Sequence, residues 1–195
     1  MADRELFHFG SATEFEAWLA EHHDTSPSID VVIAKKGVEG LHIGDALDAA
    51  LCFGWIDGQR NAIDVTHFRQ AYGPRTARST WSQINRDHVA RLVETGRMTA
   101  AGQAEVDRAK ADGRWDAAYA GSRTIEVPDD LAAAIAANPA AAEFFPQLSS
   151  QNRFAILFRL HNVKRQETRE RNIEKFVGML ERGETVYPQR SRAAD

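Results

Sequence analysis

The stretch Arg75-Thr76-Ala77-Arg78-Ser79-Thr80-Trp81-Ser82-Gln83-Ile84-Asn85 gathers more chemical capability than any other part of the sequence. It joins cations, hydroxyls, an indole face and an amide just ahead of a region with helical periodicity. Free N–H groups at a helix start, with arginines beside them, suit a phosphate or a carboxylate. A local role competes with this: Ser79 or Ser82 caps the helix while Trp81 packs onto the core. Upstream, Gly54-Trp55-Ile56-Asp57-Gly58 sets a carboxylate beside a second indole. Asp57 would act as a general base if burial raised its pKa, with Arg75 or Arg78 clamping an anionic group. The candidate ligand-binding residues are therefore Trp55, Asp57, Arg75, Arg78, Trp81 and Asn85. They place a pocket between the extended segment after Gly54 and the Arg75–Asn85 turn, with tryptophans for contact area and polar groups for orientation.

Other reactive residue types carry weaker patterns. Cys52 is flanked by apolar residues and falls at the end of a helical segment, where a thiolate is disfavoured, so it reads as an inert core thiol. The histidines include no pair at ligand spacing with a carboxylate beside it, so no metal and no cofactor are expected. Gly37, Gly40 and Gly44 form no dinucleotide fingerprint, and no phosphate-loop motif occurs. Lys35-Lys36-Gly37 follows a strand-like run. Such a pair could hold an anion, although solvated lysines at a strand end are the commoner outcome. Lys164-Arg165-Gln166-Glu167-Thr168-Arg169-Glu170-Arg171 alternates in sign, as a salt-bridged surface does.

These residues must be positioned by a mixed set of elements. Ser11 and Glu14 have capping-box spacing, and Phe15, Trp18 and Leu19 continue a helix to about His22. Ile29 to Ala34 is β-branched and apolar, as a buried strand is. Asp45 to Phe53 reads as a second helix, and Gly54 to Tyr72 as two or three strands. After Pro74 the pattern turns helical: Ile84, His88, Val89 and Leu92 recur at helical spacing, Gly96 closes the segment, and Thr99 caps the next. Ser122 to Pro128 reads as a linker. Beyond it come helical segments broken at Asn138-Pro139, a last helix with an Ile173, Phe176, Val177 and Leu180 stripe, and a loosely held tail from Val186.

Composition bounds the class. The 195 residues include 43% apolar and 27% charged side chains, ordinary for a globular chain. A single cysteine excludes an internal disulfide, and no apolar run is long enough to span a bilayer. The charged start, Met1-Ala2-Asp3-Arg4-Glu5, lacks the apolar stretch of a signal peptide, so a cytoplasmic protein is expected. The net charge of −4 disfavours a nucleic-acid partner. It is unevenly spread: −8 over residues 1–59, +4 over 60–97, −4 over 98–146 and +4 over 147–195.

Five ordered segments carry a resemblance. They are Ala49 to Gly58, Arg78 to Asn85, Gly96 to Gly102, Ala109 to Trp115, and Lys164 to Arg169. Together they resemble the YdeI/OmpD-associated (bacteriocin-protection, OmdA) family. The resemblance implies an α+β fold: a small frataxin-like (YjbR/CyaY-like) antiparallel sheet with helices, followed by a helical segment. It implies domains at 1–125 and 126–195, and a role in stress or antimicrobial-peptide protection. No catalytic set comes with it. The expected function is a non-enzymatic binder of a small molecule, peptide or protein partner, with homo-oligomerisation open. The alternative is an enzyme or sequestering protein for an anionic or peptide-like substrate, with Asp57 as base and Arg75 and Arg78 as clamp. A frataxin-like acidic ridge at Glu14, Glu16, Glu21 and Asp24 would be the place to look for metal.

Overall fold

The structure is a computed structural model that describes residues 4–122 and 124–189. The chain divides into two compact units, Met1–Ala118 and Tyr119–Asp195. The fold is α+β, with strands in the first unit and helices alone in the described part of the second.

In the first unit, β1 (Leu6–Phe7) leads into α1 (Ala12–His22), β2 (Ile29–Ala34), α2 (Ile43–Cys52), β3 (Trp55–Ala62) and β4 (His67–Pro74). The sheet order is β1-β2-β4-β3. The sheet is mixed, where an antiparallel one was expected: β1 runs parallel to β2. The physical reason is the α1 crossover, since a helix between two strands returns the chain to the same end of the sheet. The other pairs are antiparallel, with Ile29 opposite Tyr72 and Asp57 opposite Tyr72. A bulge between Asp57 and Arg60 shifts the β3–β4 register.

Local chemistry sets the element ends. The Ser11 hydroxyl accepts from the Glu14 N–H at 3.3 Å, while the Glu14 carboxylate accepts from Gly10 N at 2.8 Å. That is one residue earlier than the capping-box pattern, but a free donor is satisfied at each end. Between β3 and β4, the Asp64 carboxylate accepts from Thr66 N and Oγ1 and from His67 N, at 2.6 to 2.7 Å. Those bonds favour the ionised form and hold the Asp64 pKa down to about 2.

Two cores lie on opposite sides of α2. Phe15 and Leu19 of α1, Ala46, Ala49 and Ala50 of α2, and Val31, Ile33, Trp55 and Tyr72 of the sheet form the first. Leu51 and Cys52 of α2 join Trp81, Val89, Leu92, Val106 and Ala109 in the second. The latter residues come from α3 (Gln83–Glu94), α4 (Ala100–Ala111) and the turn before them. Cys52 is buried, and burial pushes its thiol up to about 11.

The second unit packs α5 (Asp129–Ala136), α6 (Pro139–Phe144), α7 (Ser150–His161) and α8 (Gln166–Glu181) around Leu131, Ile156, Leu157, Leu160, Phe176 and Leu180. Arg169 belongs to the alternating basic stretch and is structural. It pairs with Asp130 at the start of α5 and donates to the Leu160 carbonyl at 3.0 Å, at the end of α7. The tail expected to be loose from Val186 is instead held as far as Gln189. Buried Asn152 accepts from Tyr187 N at 2.8 Å and donates to Tyr187 O at 3.0 Å and Gln189 Oε1 at 2.8 Å. A side-chain amide that satisfies a backbone N–H and C=O together acts as a strand partner would. Residues 190–195 lie outside the described part.

Candidate functional site

The six sequence-identified residues all fall in the first unit, and the structure uses them differently. Trp55 opens β3 fully buried in the first core, its indole N–H donating to His23 O at 2.9 Å. Trp81 is 2% exposed in the second core, edge-on to Trp115 with centroids 4.9 Å apart. Asn85 is buried in the first turn of α3, its N–H donating to the Ser82 hydroxyl at 3.1 Å. Ser82 is thus the helix cap, as the local reading of that stretch expects.

Arg75 is 5% exposed and lies over the Trp81 ring at 3.5 Å from its centroid. It also donates to Thr80 O at 3.2 Å. A buried guanidinium on an indole face combines cation–π attraction with a polar tie to the backbone. Two further arginines serve the same turn. Arg108 donates to Arg75 O at 3.3 Å, and Arg114 donates to Thr76 O and Ser79 O at 3.3 and 3.0 Å. Four carbonyls of the turn thereby find cationic donors. Arg108 and Arg114 were missing from the sequence-based set. Their partners lie far away in the chain, so no local spacing signals them. Arg78 is exposed on the same turn.

Asp57 opens onto a cleft of about 180 Å³ beside β3, lined also by Arg4, Ser28, Tyr72 and Gly73. β3 is an outer strand of the sheet. The crowding around the Asp57 carboxyl raises its pKa above the ordinary carboxylate value, opposed by its own backbone N–H and then by the charges of Arg75 and Arg60. Asp57 and Arg75 are therefore within electrostatic reach of one another, and Arg75 in turn touches Trp81. Trp55 belongs to a separate core. Tyr72 also borders the cleft, and burial pushes its phenol far up, with the Asp57 charge adding to the effect. Its hydroxyl is buried and has no hydrogen-bond partner among the described residues. Such a group costs about 1–3 kcal/mol of desolvation. Tyr72→Phe is accordingly expected to raise stability by about 1 kcal/mol, read as a higher urea midpoint; a fall would mean that the hydroxyl has a partner in solution.

The other reactive groups are engaged elsewhere. Asp48 is held by His88, Arg91 and Arg97, and Arg97 also pairs with Glu16. The basic segment 60–97 thus neutralises acidic groups of 1–59 inside the first unit. Glu14 and Glu16 of the acidic ridge are bonded to Gly10 N and Arg97. Among the described residues no group of three His, Cys, Asp or Glu side chains is placed to hold a metal ion. No helix among them is long and apolar enough to cross a membrane.

Residues 7–105 match the family described as a domain of unknown function, DUF8412, and so take in the sheet, α1 to α3 and part of α4. The chain belongs to the DUF8412 family. Residues 124–183 match a second family, described as bacteriocin-protection, YdeI or OmpD-associated. The resemblance drawn from the sequence is therefore met in the helical second unit. The first unit, expected to be YjbR/CyaY-like, has DUF8412 as its match. No curated protein and no solved structure matches the chain.

Proposed function

We propose that this DUF8412 chain is a non-catalytic binding protein with a bacteriocin- or stress-protection role in the cytoplasm. Its ligand, a peptide, small molecule or protein segment, engages the Asp57 cleft and the exposed Arg78 turn of the first unit. The observation that carries this reading is the division of labour around the cleft. Asp57 is exposed and open to a ligand, while Trp55, Trp81, Asn85 and Arg75 are buried in the packing of the first unit and line no part of the cleft. Cys52, Asp48 and His88, the other groups with acid–base or nucleophilic chemistry nearby, serve the core or an ion-pair network. The bacteriocin-protection match of residues 124–183 supplies the biological direction. Two helices and a sheet sharing one core are compatible with a frataxin-like assignment of the first unit, which is part of this proposal.

One observation favours a second reading. The raised pKa of Asp57 suits a general base for an anionic or peptide-like substrate, with the Arg75 and Arg60 charges acting on it and the exposed Arg78 as the further clamp of this reading. A thermal-shift screen of the full chain against antimicrobial peptides, nucleotides and small acids tests both. A ligand at a hundred times its Kd stabilises the native state by about 2.7 kcal/mol, a midpoint shift of several degrees. The shift is expected to shrink in Asp57→Asn and Arg78→Ala, both exposed positions where the fold survives. Ligand-induced shifts unchanged in both variants would sink the site. Turnover of a bound ligand, lost in Asp57→Asn, would establish the enzymatic reading. Trp81→Ala is no probe here, because removing a buried indole costs about 3–5 kcal/mol.

A further inference from the structure

The Asp57 site leaves Lys35-Lys36-Gly37, at the end of β2, without a role. We propose that this segment forms part of a second site, for a small organic anion with an apolar body, either a carboxylate or a phosphate monoester. The site is a pocket of about 430 Å³, within the size range of small-molecule sites. It is assembled from Lys36 after β2, His42 and Ile43 at the start of α2, Arg60 on β3 and Phe68 on β4.

Its floor is apolar. Ile43 and Phe68 are half-buried and pack against the first core, leaving part of their surface to the pocket. Its rim is cationic, and no carboxylate is among the described residues that line it. Arg60 is pre-set: its Nε donates to Gln70 Oε1 at 3.0 Å and its guanidinium carbon stands 4.3 Å from the Phe68 ring centroid. The two terminal amino groups make no hydrogen bond or ion pair among the described residues, and a fixed guanidinium fork matches the paired oxygens of a carboxylate or phosphate. Lys36 is exposed and likewise makes no ion pair or hydrogen bond among the described residues. Its neighbour Lys35 is spent on structure, donating to Asp64 O at 2.8 Å and Val65 O at 3.2 Å. His42 is oriented by the contact of its Nδ1 with the Ala34 carbonyl at 3.1 Å. A carbonyl only accepts, so Nδ1 carries the hydrogen and Nε2 is the ring's other polar edge.

The charge balance selects the size of the ligand. A polyanion meets a chain of net charge −4 and is repelled outside the pocket. One anionic group against two or three local cations, with the apolar body over Ile43 and Phe68, uses every feature of the site.

The test is calorimetric titration of the full chain with 4-phenylbutyrate and phenyl phosphate, with 4-phenylbutanol and inorganic phosphate as controls. Saturable binding of at least one aryl anion is expected, about tenfold or more tighter than the alcohol and than inorganic phosphate, and weakened by added salt. Lys36→Glu should weaken it about fivefold or more with an unchanged circular-dichroism spectrum, and Lys36→Gln by less. Arg78→Ala, on the exposed turn and outside this pocket, should leave it unaltered, which separates this site from the Asp57–Arg78 site. No saturable binding below about 5 mM, equal affinity for the alcohol or inorganic phosphate, or an unaltered affinity in Lys36→Glu would each overturn the proposal.

Discussion

Asp48→Ala is expected to cost the first unit about 3 kcal/mol and to lower its thermal midpoint by about 10 °C. Asp48 is one of the few buried acids, with a side chain 8% exposed. Its carboxylate accepts from Arg91 Nη2 at 2.7 and 2.6 Å and from His88 Nδ1 at 2.7 Å, with Arg97 Nη1 at 3.6 Å. Arg97 goes on to pair with Glu16 of α1. One carboxylate thereby ties α2 to α3, and through Arg97 to α1. Removing it leaves cations grouped around a space that held their counter-charge, which costs more than the pair itself contributes. Burial alone pushes the Asp48 pKa upward, but hydrogen bonds from Arg91 and His88 outweigh it and hold the carboxyl below the ordinary value. The sign of the pH dependence follows. A depressed folded-state pKa contributes stability that is present in full above the unfolded value, about 3.9. That contribution is lost as pH falls through the lower folded value. Urea titrations should therefore show a gap between wild type and Asp48→Ala that is full at pH 7 and closes in the acid range. All four tryptophans lie in the first unit, so fluorescence reads this transition without the second. A gap below about 1 kcal/mol, or one that ignores pH, would show that the network is a surface decoration.

The sequence made local structure legible where the physics is local. Ser82, Thr99 and Ser11 act as caps because the hydroxyl and its N–H partner lie three residues apart, within any reader's window. Gly96, with φ of 68°, ends α3 where an L side chain would be strained. Cys52 reads as core from its apolar neighbours, and it is buried. The two-residue β1 carries no such signal, because its pairing with β2 exists only once α1 has folded back. The Arg75–Asn85 stretch shows a subtler limit. Its composition does suit an anion, but composition cannot say whether cations face a ligand or the backbone. Arg75, Arg108 and Arg114 spend hydrogen bonds on carbonyls of the turn itself, and two of the three come from beyond α3. The Lys36 pocket fails to show for the opposite reason. Residues 34–37 and His42-Ile43 are its only sequence-local pieces, and Arg60 and Phe68 join them from two further strands. Long-range assembly, rather than weak chemistry, hides both the turn's true partners and the pocket.

Gly102→Ala sets two effects of opposite sign against each other, and the structure decides which wins. In a helix, alanine is preferred to glycine by about 1 kcal/mol, so propensity alone predicts a more stable protein. Gly102 lies in the first turn of α4, capped by Thr99. A Cβ built there would stand 2.3 Å from Cys52 O and 2.5 Å from Met98 Sδ. The sulfur is on a flexible side chain and can move. The Cys52 carbonyl cannot, because Thr99 donates to it from its hydroxyl at 2.5 Å and from its backbone N–H at 3.3 Å. Relief would require α4 to lift from the end of α2, opening the second core around Leu51, Cys52 and Val106. Overpacking against fixed backbone costs about 1–3 kcal/mol or more, and here the displaced helix adds lost burial. A net loss of about 2 kcal/mol or more is expected in urea unfolding followed by tryptophan fluorescence. Gly178→Ala in α8 is the matched control, since a Cβ there meets only Arg182 Nη1 at 3.5 Å. Propensity acts alone at that position, and far-UV circular dichroism should show the second unit unchanged or up to about 1 kcal/mol more stable. Equal and favourable effects at the two glycines would mean that α4 does not rest on the α2 terminus in solution.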